Sequence, residues 1–118
     1  MLNVQRKDLG TVSLLNLEGQ LIVGETGVLH DVIKTMPGTS SVIVDLSQVT
    51  LVDAHGLGVL LQMREQAQAK GMRFELANIG RRVRELLRLT RLDFVFQINS
   101  GPGYFPAHAT APRTAIAA

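Results

Sequence analysis

The stretch TLVDAHGLGVLL, residues 50–61, changes its conformational preference within a few residues. Leu51 and Val52 favour a strand. Asp53 follows, then Ala54, His55 and Gly56-Leu57-Gly58 open an apolar run with helical character. That run continues to about Lys70, and Gly71 suits the position just past a helix end. Just upstream, Val42-Ile43-Val44-Asp45-Leu46 is a continuous apolar run with one acid, the pattern of a central strand covered on both faces. A buried strand that turns directly into a helix is the unit of an α/β fold, and it restricts the next strand to parallel pairing through a right-handed crossover.

The remaining segments agree with that unit. Residues 2–6 alternate apolar and polar, Asp8-Leu9-Gly10 reads as a turn, and residues 11–17 read as a second strand, an antiparallel hairpin ended by Glu18-Gly19-Gln20. Over residues 25–36, Val28, Leu29, Val32, Ile33 and Met36 share one helical face, and Pro37-Gly38 stops it. Residues 72–77 alternate as a strand. Residues 80–90 form a helix with Val83, Leu86, Leu87 and Thr90 on one side, and residues 94–98 can add a short last strand. The order is ββαβαβα with an optional final strand. It predicts an α/β fold with a mixed central sheet of 4–5 strands, an antiparallel first edge and helices packed on it. At 118 residues and 46% hydrophobic composition, one domain with a real core is expected. Its expected span is 1–98. Residues 99–118 are rich in Ala, Pro and Gly and read as a tail, held in place only if Tyr104 and Phe105 dock on a neighbouring surface.

Composition and spacing exclude several chemistries. There is no cysteine, hence no disulfide, thiol nucleophile or Cys-based zinc site. No signal peptide and no bilayer-length apolar run is visible, so a cytoplasmic protein with no membrane insertion is the default. The net charge of +2 does not compel a nucleic-acid partner, and 4% aromatic content disfavours a base-stacking platform. Gly56-Leu57-Gly58 lacks the third glycine of a dinucleotide fingerprint and the Lys-Ser/Thr of a P-loop, and Asp53 beside it would repel phosphate. No serine lies in a nucleophile elbow, and His30, His55 and His108 have no metal-ligand spacing. No cofactor or metal is expected. The helix RRVRELLRLTR (81–91) sets Arg81, Arg84, Arg88 and Arg91 on one flank. This is an ordinary solvated face unless an acidic partner or nucleic acid docks there. Asp53 can cap the helix that follows it. Gly56 and Gly58 disfavour helix, which points to close approach of the sheet beneath or of a partner above.

The stretch VIVDLSQVTLVDAHGLGVLLQMREQAQAKG (42–71) closely resembles the STAS domain of anti-sigma-factor antagonists, whose pattern is an apolar strand, Asp-Leu-Ser, and then Asp-Ser-x-Gly-Leu-Gly opening a helix. FELANIGRRVRELLRLTRLDFVFQI (74–98) and LEGQLIVGE (17–25) resemble that family's later and earlier elements, so the likeness covers roughly residues 2–98. In that family a kinase-type anti-sigma factor phosphorylates the serine after the aspartate, and the phosphorylated antagonist releases its partner. Here the equivalent position is Ala54, which has no hydroxyl.

The resemblance implies a protein that binds a kinase-type anti-sigma factor through Asp53, Ala54, His55, Gly56, Leu57 and Gly58. It acts in a partner-switching pathway regulating transcription, without catalysis and without direct contact to nucleic acid. Ala54 leaves three readings open: a permanently binding-competent antagonist, a scaffold that never used phosphorylation, or control moved to His55, Thr50 or Ser47. The alternative classes are a scaffold subunit of a signalling or lipid-transport complex, and a nucleotide- or small-molecule-binding module. A homodimer is compatible with the sequence.

Overall fold

A computed structural model describes residues 2–35 and 40–99 of the chain. Strands β1 (Asn3–Leu9) and β2 (Val12–Leu21) form an antiparallel hairpin. Its two-residue loop is made possible by Gly10 at φ +72°, a backbone region that side chains disfavour. The turn therefore lies one to two residues later than the sequence suggests. Helix α1 (Gly27–Lys34) leads to β3 (Ser41–Val52), α2 (Ala54–Ala69), β4 (Arg73–Ala77) and α3 (Arg81–Leu89). A single 3₁₀ turn (Leu92–Phe94) precedes β5 (Gln97–Asn99).

The sheet runs β1-β2-β3-β4-β5, with β2 to β5 mutually parallel. Because sequential strands are also spatial neighbours, every right-handed crossover places its helix on the same face. All three helices thus share one core with the sheet, built on Leu15, Leu17, Val44, Leu60, Leu76 and Leu87 among others. Among the described residues, helices cover one face of the sheet, yet Val42 to Leu46 are all buried, as their continuous apolar run predicts. On the other face Leu14, Ile43 and Ala77 form a small apolar cluster. Polar bonds flank it: Asn78 Nδ2 donates to Asp45 Oδ2 at 2.9 Å, and Asn99 Nδ2 donates to Glu75.

Three further expectations change. Glu18-Gly19-Gln20 does not end the second strand. Gly19 takes φ +120° within the strand, and at each of two register shifts the extra residue lies on β3, so β2 keeps its partner and continues to Leu21. β3 runs past Leu46 to Val52, because the segment 47–50, bulged by one residue at two places, keeps pairing with the end of β2. The last strand begins at Gln97 rather than 94, because Arg91 adopts φ +63° after α3 and the 3₁₀ turn consumes Leu92–Phe94. Met36, the Pro37-Gly38 stop, and the tail with Tyr104, Phe105 and His108 lie outside the described residues. Among the described residues no helix is long and apolar enough to cross a membrane.

Candidate functional site

The predicted site residues come together at the carboxyl ends of β2 and β3, the edge where α/β sheets place sites. Asp53 caps α2 in extended conformation. Its Oδ1 accepts from Gly56 N–H at 2.8 Å. Its Oδ2 accepts from Val23 N–H at 3.0 Å, and its own N–H donates to the Leu21 carbonyl at 3.2 Å. One carboxylate therefore ties the start of α2 to the loop between β2 and α1. The Val23 N–H, then the Gly56 N–H, hold the Asp53 carboxyl below its ordinary value of 3.8. Desolvation opposes them, and His55 adds smaller contributions through its charge and its backbone N–H.

His55 is exposed in the first turn of α2, and its Nε2 lies 3.0 Å from the hydroxyl of Thr26. Thr26 occupies the N-cap position of α1 but makes no side-chain cap there; only 4% of it is exposed. This pair is a second tie between α1 and α2. Thr50 adds a third local bond, donating to the Gly19 carbonyl at 3.3 Å.

The two glycines separate cleanly. A Cβ on Gly56 would sit 2.0 Å from the Leu21 carbonyl oxygen, so this glycine lets the first turn of α2 rest on the backbone of β2. A Cβ on Gly58 would meet nothing within 4 Å. Leu57 is buried in the core beneath. Of the six predicted residues, Gly56 and Leu57 build the turn from within. Asp53 organises it, while Ala54, His55 and Gly58 face outward or are half-exposed.

Residues that the sequence did not point to complete the surface. Val23 is 65% exposed beside Asp53, and Leu51 is 43% exposed at the end of β3. From there a groove of about 410 Å³ runs between the end of β3 and the start of α3, lined by Val49, Leu51, Arg81, Arg82 and Leu86 among others. Val23 and Thr26 lie about thirty positions before Asp53, and no local pattern links them to it. Both carboxylate oxygens of Asp53, the His55 Nε2 and the Thr50 hydroxyl are engaged within the chain. What remains outward is the Ala54 methyl, the His55 ring, the half-exposed Gly58 and the Val23 and Leu51 side chains.

Comparison with known proteins bears on the family and the fold. The profile of the STAS domain matches residues 3–111. A STAS-domain containing protein of Pseudomonas aeruginosa (strain UCBPP-PA14) is 33% identical over 57 residues, 48% of this chain and 56% of that protein. The chain thus matches little more than half the length of this curated relative. Among solved structures, an anti-sigma factor antagonist from Mycobacterium paratuberculosis superposes with a TM-score of 0.73 at 23% identity, covering 88% of each chain. The Bacillus cell fate determinant SpoIIAA in its phosphorylated form gives 0.67 at 16%, covering 86% of this chain and 93% of that one. A sulfate transporter family protein from Wolinella succinogenes gives 0.68 at 18%, covering 77% and 80%. The strand order, the single helical layer, the capped turn and the profile match over most of the chain agree: the chain belongs to the STAS domain family.

Proposed function

We propose that this chain is a protein-binding regulator of the anti-sigma factor antagonist type, whose contact surface is the turn Asp53–Gly58 with Val23 and Leu51 at its margins. The observation that carries this reading is Ala54. It is exposed at the first position of α2, directly after a cap that fixes its backbone, where a small side chain lets a partner approach closely. The likeness to an anti-sigma factor antagonist over 88% of both chains supports the class of partner, a kinase-type anti-sigma factor.

Ala54 has no hydroxyl to accept a phosphoryl group. In this proposal the chain stays in its binding-competent form, and the partner switch loses its covalent reset. A phosphate there would add nearly two negative charges beside Asp53, in a contact that is otherwise largely apolar. The sulfate transporter family neighbour keeps a scaffold role in view, since a scaffold also has no use for the hydroxyl.

The test is affinity capture from the source cells with wild type and Asp53→Lys side by side, followed by kinase assays on what is captured. Capture of a kinase-type anti-sigma factor by wild type alone supports the proposal. So does a complex that survives ATP in wild type but dissociates in Ala54→Ser as the new serine is phosphorylated. An unchanged capture set in Asp53→Lys, or a phosphate on the wild-type chain followed by release, overturns it.

A further inference from the structure

The arginines of α3 have a use beyond solvation once their neighbours are seen. Residues 81–95 carry five arginines against Glu85 and Asp93, a surplus of three positive charges that exceeds the net +2 of the whole chain. All five arginines are exposed. Only Arg88 has an ion pair in this segment, a loose one to Glu85 at 3.9 Å. Arg81, Arg82, Arg84 and Arg91 have none among the described residues. Asp93 is half-buried with Oδ1 turned away from solvent, so it does little to neutralise the surface.

The end of this segment is apolar. Leu89 is 75% exposed and Phe94 is 82% exposed, with Val95 beside them at the edge of exposure. Together they present on the order of 300 Å² of apolar surface, well under the roughly 800 Å² per partner of a stable protein interface. An apolar tip of that size flanked by arginines matches the surface of an anionic bilayer, which needs no complementary pocket. Apolar side chains enter the boundary of the acyl region while guanidinium groups reach the lipid phosphates.

Topology places this tip away from the candidate site. α3 starts after the carboxyl end of β4 and runs back, so Leu89 and Phe94 lie toward the amino ends of the parallel strands, whereas Asp53 lies at the carboxyl end of β3. We infer that the carboxyl half of α3, with Arg84, Arg88 and the following Arg91, and the 3₁₀ turn form a peripheral docking surface for anionic lipid, which leaves the Asp53–Gly58 turn pointing away from the membrane. Each arginine brought to such a surface strengthens binding about fivefold, and the shallow apolar insertion adds the second signal that stable association requires.

The experiment is co-sedimentation of the full chain with phosphatidylcholine vesicles, alone and with phosphatidylglycerol at about a quarter of the lipid. Binding to the anionic vesicles only, lost at about 0.5 M NaCl, is expected. Arg84→Glu/Arg88→Glu and, separately, Leu89→Ser/Phe94→Ser are each expected to weaken it about tenfold or more while leaving the circular dichroism unchanged, since all four side chains are exposed. No sedimentation with anionic vesicles at low salt overturns the inference. Undiminished binding by the Leu89→Ser/Phe94→Ser chain also overturns it, in favour of plain charge adsorption. Binding to polyglutamate with no binding to vesicles overturns it in favour of an acidic protein partner.

Discussion

Gly56 and Gly58 look alike in the sequence and are opposites in the structure. Replacing Gly56 by alanine drives a methyl group into the Leu21 carbonyl, and the backbone on both sides must shift. Gly56→Ala is expected to destabilise the protein by about 3 kcal/mol, read as a lower denaturation midpoint in urea. Gly58→Ala meets open space and gains helix propensity, so it is expected to stabilise by up to about 1 kcal/mol. If a partner rests on this turn as proposed, the same Gly58→Ala chain binds it less well, which separates the contact role of Gly58 from its cost to the fold. Asp53 carries the pH dependence. Its folded pKa is depressed, so its stabilisation is full above the ordinary 3.8 and is lost as pH falls through the lower folded value. The amide resonances of Val23 and Gly56 are expected to titrate together in that acid range, and Asp53→Asn is expected to abolish the shared transition.

At the scale of elements, the ties between segments matter more than the segments themselves. α1 is only eight residues long, and its N-cap hydroxyl is spent on His55. A helix this short is held by its packing through Leu29 and Ile33 and by its ties to α2. His55→Ala is accordingly expected to speed amide exchange in α1 more than in α2, measured residue by residue. Asp45 plays the matching part on the face of the sheet away from the helices. It is buried, accepts from Ser47 N–H at 2.8 Å and from Asn78 Nδ2, and so joins β3 to the loop that launches α3. Asp45→Ala leaves both donors short of a partner and is expected to cost about 1–3 kcal/mol, read from urea unfolding.

At the scale of the whole molecule, one helical layer on one sheet makes a single main core, and unfolding is expected to be two-state by circular dichroism and calorimetry alike. Protection against exchange is expected to be greatest in β2, β3 and β4 and least in the three-residue edge strand β5. The two surfaces of interest sit at opposite ends of the parallel strands. The capped turn carries Asp53, Ala54 and His55, and the α3 tip is basic and apolar. A molecule built this way can hold one contact while offering the other.

Local order along the chain was legible because it rests on local physics. The apolar run of β3, the capping carboxylate of Asp53 and the glycine after α2 all act within a few residues, and each was in place in the structure, whereas the alternation at the first strand buries Leu2, half-buries Val4 and stops there at the exposed edge. Strand ends were less legible. Gly19 reads as a break in one dimension, but β2 runs through it once β3 supplies a partner and takes up the register mismatch in its own bulges. The candidate site was half legible. Asp53 to Gly58 are contiguous, so their shared location follows from the chain itself. That Val23 donates to Asp53, that Thr26 meets His55 and that Gly56 rests on Leu21 depend on where β2 lies beside β3. The same holds for the single-sided helix layer, since hydrophobic pattern alone does not say in which spatial order the strands assemble. Periodicity and caps are properties of neighbours in sequence, whereas register, handedness and close approach arise only when distant segments share one core.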